Sequence, residues 1–292
     1  MVALRSRIKS PLKTGFTLVE LSIVLVIIGL IIGGVLVGRD LISAATVRAQ
    51  ISQIEKYNAA VNTFRGKYGY LPGDIPDPTA TQYGFTARGS LQGQGDGNGI
   101  LEGNYNNNNN SGAVGNLQDA GETPMFWVDL SIAGLIGGGF NTASAFTLPV
   151  ANIPGSAIPS WFPSAKIGGN YVFVFSYNNT NYYQIEPITG LGAVGAGSGA
   201  VTLGQRTMTS QQAYVIDTKI DDGLPASGTV IVRYVDTGVS SPNLAFPPVR
   251  ALTGACYNNN QQAGVPYFYS LGNMEPGNTE TAGACSISIQ MR

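Results

Sequence analysis

From Phe16 to Gly38 the chain is apolar at nearly every position, interrupted only by Thr17, Glu20 and Ser22. Beyond it the pattern changes to helical spacing, with Leu41, Ala45, Ile51, Ile54, Val61 and Phe64 recurring along one face beside Asn58 and the stem of Arg48. Arg, Gln, Glu and Lys fall mostly opposite. Gly66, Gly69 and Pro72 then stop the pattern. The spacing predicts one helix over about residues 16–66, roughly 50 residues and roughly 75 Å long. Residues 16–38 are greasy all round, and residues 39–66 form the amphipathic half. Such an element buries its first half in lipid or among sister helices and docks its second half on a globular head.

Residues 67–292 supply that head. Glu122-Thr123-Pro124 followed by Met125-Phe126-Trp127-Val128-Asp129-Leu130 reads as a capped helix start, running to about Leu135 before Gly137-Gly138-Gly139. Tyr171–Tyr177 and Tyr182–Glu186 flank Asn178-Asn179-Thr180-Asn181 and predict a hairpin. Ala213–Asp217 and Thr229–Val235 read as a second strand pair, giving a four-stranded antiparallel sheet against the long helix and an α+β fold. Residues 87–116, with Gly-Asp-Gly-Asn-Gly and the Asn106–Asn110 run, read as a mobile surface loop, and Gly-rich 190–204 as irregular.

Composition narrows the class. Of 292 residues only 11% are charged while 43% are hydrophobic, which suits an exported, loop-rich β protein and excludes general disorder. Without residues 1–15, which carry four basic side chains and no acidic one, the balance is 12 positive to 17 negative, so no basic surface predicts a nucleic-acid partner. The chain has no His, which removes Ser-His-Asp and Cys-His catalysis, His-based zinc sites and a histidine pH switch. Paired carboxylates remain, yet no arrangement for catalysis can be argued from them, and the expectation is a protein that is not an enzyme.

Charge matters most at the N-terminus. Arg5, Arg7, Lys9 and Lys13 precede the apolar run, and Arg39 and Asp40 close it. This places the leader in the cytoplasm and the remainder across the membrane. A carboxylate inside a membrane-length segment costs roughly 2.5–3.5 kcal/mol on insertion scales, so Glu20 demands a partner or a route to the headgroups. The basic leader, then Gly15-Phe16-Thr17-Leu18-Val19-Glu20, resembles the N-terminal signal of type IV prepilins and type II secretion pseudopilins over about residues 9–40.

The resemblance implies a long-helix-and-sheet pilin fold. It implies cleavage by a prepilin peptidase between Gly15 and Phe16, N-methylation of Phe16, and pairing of Glu20 with the Phe16 ammonium of a neighbouring subunit. It further implies self-polymerisation with other pilin-like subunits, an inner-membrane assembly platform, and residence in lipid of the bacterial inner membrane before assembly into a periplasmic or extracellular filament. Tyr68-Gly69-Tyr70-Leu71-Pro72-Gly73-Asp74 looks like the start of a pseudopilin αβ-loop, favouring a pseudopilin over an adhesive or motility pilin. The proline that many pilin anchors carry is replaced by Val37, and Gly29, Gly33, Gly34 and Gly38 weaken the helix or permit close helix contact instead. Two other readings of the segment stand beside this one: a secretory signal cut near Ser43-Ala44-Ala45, and an uncleaved anchor over the 18 uncharged residues Leu21–Gly38. A membrane-tethered module that engages a glycan or a surface through its loops is the alternative function.

Cys256 and Cys285 are the only cysteines; in an exported protein the pair is expected to form a disulfide, as in the C-terminal loop of many pilins, with two separate thiols as the alternative. Two acidic clusters could hold Ca²⁺. In Asp96-Gly97-Asn98-Gly99-Ile100-Leu101-Glu102, Asp96, Asn98 and Glu102 alternate with Gly, but the spacing departs from an EF-hand and fits a solvated turn as well. Asp217, Asp221 and Asp222 could bind calcium through paired carboxylates, as major pseudopilins do in their heads, or close a turn with Lys219 satisfying the charge.

Overall fold

A computed structural model describes residues 15, 17–103, 120–145, 151–192, 201–204, 207–232, 256–258, 268–269, 271 and 285–292. Helix α1 spans Leu18–Tyr68, and the chain divides into two compact units at Ala45/Thr46. In the first unit the α1 side chains are exposed on every face, with Leu18 at 87% and Leu30 at 72% of full exposure. The segment is long and apolar enough to cross a membrane, with a mean hydropathy of 2.9 over its most apolar 18 residues. A Cβ built on Gly29, Gly33, Gly34 or Gly38 meets nothing within 4 Å. The two Gly-x-x-x-Gly faces are open.

The second unit has a real core. The Thr46–Tyr68 part of α1 buries Val47, Gln50, Ile54, Tyr57, Ala60, Val61 and Phe64, one stripe at helical spacing. The expected stripe is shifted at its start, because Val47 and Gln50 face inward and Leu41 is 67% exposed. Gln50 is tolerated there because its side-chain oxygen accepts from the backbone of Lys166 at 2.7 Å. Tyr57 packs edge-on against Trp127 with ring centroids 4.9 Å apart. Trp127 lies on α3, Glu122–Ile132, which follows the short α2, Thr79–Gln82. Pro124 sits in the first turn of α3, where its missing N–H costs nothing.

The sheets follow in chain order as β1 (Ile153–Pro154), β2 (Tyr171–Tyr177), β3 (Thr180–Glu186), β4 (Ile188–Leu191), β5 (Val201–Leu203), β6 (Val230–Val232), β7 (Tyr257–Asn258), β8 (Phe268–Tyr269) and β9 (Ile287–Gln290). The main sheet is antiparallel, with order β2-β3-β9-β6. The β2–β3 hairpin is tighter than the sequence pattern suggests. Its turn is Asn178-Asn179, both at positive φ (47° and 57°), as a two-residue hairpin turn matching strand twist requires. Asn accepts that backbone more readily than other non-Gly residues.

Several expectations are corrected. Ala213–Asp217 is not a strand but part of helix α4, Ser210–Ile220. Thr209 and Gln212 form a reciprocal capping box at its start, and Ala213, Ile216 and Asp217 are buried at helical spacing. The partner of β6 is instead β9, next to the C-terminus; residues 233–235 of the expected strand lie outside the described residues. At the two ends of 190–204, β4 and β5 pair with each other and β4 with β1 in a small sheet, while residues 193–200 lie outside the described residues. The stretch 88–103 is folded inward rather than mobile, burying Arg88, Gln94, Leu101 and Glu102. The Asn106–Asn110 run lies outside the described residues.

Candidate assembly and cation sites

Glu20 opens α1 with local partners. Its Oε2 accepts from the Thr17 backbone N–H and from the Thr17 hydroxyl, both at 2.8 Å, while Thr17 Oγ1 accepts from the Glu20 N–H at 3.2 Å. This is a capping box, which satisfies two donors that a helix start leaves without partners. Thr17 was missed in reading the sequence, although Thr-x-x-Glu before an apolar run is its signature. A carboxylate already hydrogen-bonded costs less in an apolar surrounding than a bare one. Gly15 is exposed, and Phe16 lies outside the described residues.

The second site is built on glycine backbone. Gly73, at φ +87°, has no room for a side chain, since a Cβ there would lie 2.4 Å from the Glu122 carbonyl oxygen. That close approach places Asp74 beside the 95–102 stretch. Asp74 accepts from the N–H groups of Gly97 and Gly99, each at 2.7 Å. Glu122 accepts from Gly95 and Glu102 N–H, both at 2.9 Å. The two carboxylates therefore hold the loop by its backbone donors. The hairpin clamps its far side, with Asn181 Oδ1 accepting from Leu101 N–H at 2.9 Å and Ser176 donating to the Leu101 carbonyl at 2.8 Å.

Asp96, Asn98 and Glu102 do come together. Asn98 Nδ2 donates to Asp96 at 3.0 Å and to Glu102 at 3.4 Å, and its Oδ1 accepts from Ile100 N–H at 2.7 Å. Asn98 thus turns its amide hydrogens, not its oxygen, toward the acids. A tighter set is Asp74, Asp96 and Glu122, whose carboxylate oxygens lie within 4.8 Å of one another and could hold a hard cation. Asp74 and Glu122 were not singled out as ligands from sequence, because they lie 22 or more residues from Asp96.

Burial pushes the Asp74 carboxyl up to about 7; the N–H groups of Gly99 and Gly97 oppose the shift, and the Asp96 charge adds to it. Burial raises Glu122 as well, reinforced by the Asp74 charge. Glu102 is raised by burial against the donation from Gln92.

The third cluster is also hydrogen-bonded. Asp217 Oδ1 accepts from Gly223 N–H at 3.1 Å and Oδ2 from the Tyr269 hydroxyl at 2.8 Å. Asp221 accepts from Thr229 and Val230 N–H, and Asp222 from Leu224 N–H and the Ser227 hydroxyl, both at 2.8 Å. Burial carries Asp217 up to about 6, with Tyr269 and Gly223 opposing. Among the described residues Lys219 makes no ion pair with the three. Their carboxylate oxygens also lie within 4.8 Å of one another.

The chain matches no protein-family profile, no curated protein and no solved structure. Function therefore rests on the chemistry of these sites. Cys256 and Cys285 form the disulfide, with Cα atoms 5.1 Å apart and both residues buried. Beside the glycine loop lies a polar groove of about 480 Å³, lined by Arg65, Tyr70, Asp74, Asn98, Asn181 and Arg292 among others.

Proposed function

We propose that this protein is a structural subunit of a type IV pilus-like filament, favoured as a type II secretion pseudopilin and assembled through α1. The observation that carries the proposal is the surface of Leu18–Ile42. Its large aliphatic side chains are exposed all round, and the only carboxylate before Arg39 is Glu20. A helix of this kind is stable in lipid or against other helices of its kind, and in water it is an aggregation hazard. Filament growth exchanges the first surrounding for the second. The open Gly-x-x-x-Gly faces allow close helix approach. The α+β layout, with a long N-terminal helix and an antiparallel sheet, is the layout this role calls for.

In this reading prepilin peptidase cuts after Gly15, Phe16 becomes the N-methylated terminus, and Glu20 leaves its Thr17 partners for the neighbouring Phe16 ammonium. A second reading, a membrane-tethered binding module, is favoured by the polar groove, whose amides, Tyr70 and two Arg suit a polar ligand. Two measurements separate them. Intact-mass and N-terminal peptide analysis of protein from its host gives a chain starting at N-methyl Phe16 for the filament subunit. Retention of Met1, or a start near Thr46, removes that reading. Glu20→Ala inserts in the membrane and yields no filaments; filament yield equal to wild type takes Glu20 out of the mechanism.

A further inference from the structure

The end of α1, the Gly69–Leu71 turn, the glycine loop, the β2–β3 hairpin turn and the residues that close β9 surround the polar groove of about 480 Å³. It lies wholly within the second unit. Part of its wall is already committed. Asn181 Oδ1 accepts from Leu101 N–H and Nδ2 donates to the Gly99 carbonyl, both at 2.9 Å. Asp74, the one acidic side chain on the lining among the described residues, turns its two oxygens onto the Gly97 and Gly99 N–H groups.

Other groups on the lining are uncommitted. Among the described residues, the side-chain amides of Asn62, Asn179 and Gln290 and the guanidinium of Arg65 have no hydrogen-bond partner. Arg292 adds a second cation. Its backbone N–H donates to Asn58 Oδ1 at 3.2 Å and its Nη2 to Thr229 Oγ1 at 3.0 Å, which holds the side chain while Nη1 and Nε keep their donors. Tyr70 is half-buried and seated by the loop, since a Cβ at Gly97 would lie 3.1 Å from its Cε1.

These groups select among ligands. A primary amide offers a donor and an acceptor in one plane, which matches two neighbouring hydroxyls that each donate and accept. A guanidinium offers donors only and takes a carboxylate through parallel N–H bonds. A phosphate ester would leave the amide oxygens without donors, and an apolar ligand would bury the amides unpaired. An aromatic ring beside the amides takes the C–H face of a sugar. The volume falls within the range of about 300–1,000 Å³ usual for small-ligand sites.

We propose that this groove binds an acidic saccharide. Arg65 and Arg292 meet its carboxylate, the Asn62, Asn179 and Gln290 amides read its hydroxyls, and Tyr70 packs against a sugar ring. The site requires that the head lie outside the cytoplasm, which a filament subunit and a tethered module share, so it does not depend on how α1 is used.

The test is isothermal titration of the full-length protein in a polyoxyethylene detergent, which carries no sugar. The probes are trigalacturonate, sialyllactose and lactose, the last without a carboxylate. At least one acidic probe binds, roughly tenfold or more tighter than lactose, the order that a charge-assisted contact contributes. Whichever acidic probe binds tells a uronate from a sialate. Arg65→Gln, at an exposed position of α1, weakens binding about tenfold on the same ground. Lys56→Gln removes an equal charge from the same helix outside the groove and leaves binding unchanged. Failure of both acidic probes to bind, equal affinity for lactose, or a loss in Arg65→Gln no larger than in Lys56→Gln each overturns the proposal. None of these outcomes bears on the mature N-terminus, so the filament reading and this one fail separately.

Discussion

Arg88 and Asp129 meet as a buried ion pair, with the single nitrogen Arg88 Nη2 2.6 Å from both carboxylate oxygens and both side chains fully buried. Asp129 also accepts the Gly73 N–H at 2.6 Å. One carboxylate on α3 therefore ties down the turn after α1 and the loop after α2. Burial raises the Asp129 carboxyl while the Arg88 charge and hydrogen bonds pull it back. The geometry makes the pair a joint of the fold, since neither charge has water to fall back on.

Removing one partner strands the other. Arg88→Ala and Asp129→Ala each cost roughly 3–5 kcal/mol, whereas replacing both with apolar residues of similar volume costs less than either single change. Urea denaturation of the three variants measures this. Single variants as stable as wild type would show that the pair carries no structural weight.

The raised carboxyls give the protein an unusual pH response. A carboxyl whose pKa is higher folded than unfolded binds its proton more tightly in the folded state, so stability falls as pH rises between the two values. For Asp74 that window runs from 3.8 to about 7. For Asp217 it runs from 3.8 to about 6. The urea midpoint is expected to decline from mildly acidic to neutral pH, with Asp74→Asn flattening the upper part of the slope. A midpoint that climbs over that range would contradict the burial of these groups.

The disulfide closes a loop between residues 29 positions apart. Its reduction, or replacement of both cysteines by Ser, costs roughly 3–4 kcal/mol on the chain-entropy model. Denaturation with and without reductant reads the difference, and coincident curves would mean that the loop is held without the bond.

Helix α4 depends on its cap. Thr209→Ala removes the hydroxyl that accepts from Gln212 N–H at 3.1 Å and is expected to cost about 1 kcal/mol. Thr209→Ser retains most of the stability. Thermal melts that rank the two variants the other way would assign the role of Thr209 to packing.

The contrast between β2 and α4 shows why some elements were legible and others were not. Val172, Val174 and their neighbours run in a seven-residue strand ended by Asn-Asn, a local signal that needs no distant partner. Ala213-Tyr214-Val215-Ile216-Asp217 carries the same β-favouring residues, but the cap at Thr209 and the inward facing of Ala213, Ile216 and Asp217 outweigh propensity. Strand β9 was not singled out for another reason: four residues of alternating Ile and polar side chains carry little local signal of which strands they will join, and Ser286, Ile287, Ser288 and Ile289 are all buried. Those serines are satisfied by partners about a hundred residues away, with Ser286 donating to the Ile185 carbonyl at 2.9 Å.

The sequence by itself determined the features that act over short distances: the apolar run with its lone Glu20, the long helix, the β2–β3 hairpin and the pairing available to two cysteines. Each follows from periodicity, turn chemistry or composition within one segment, or from counting. Only the tertiary structure decided that the glycine-rich stretch folds inward, that Asp74 and Glu122 join Asp96, and that the C-terminal strand enters the middle of the sheet. These depend on backbone donors meeting carboxylates and strands far along the chain, as when Gly95 N–H reaches Glu122 across 27 positions. A buried donor must find an acceptor somewhere, but which one it finds is settled when the whole chain packs.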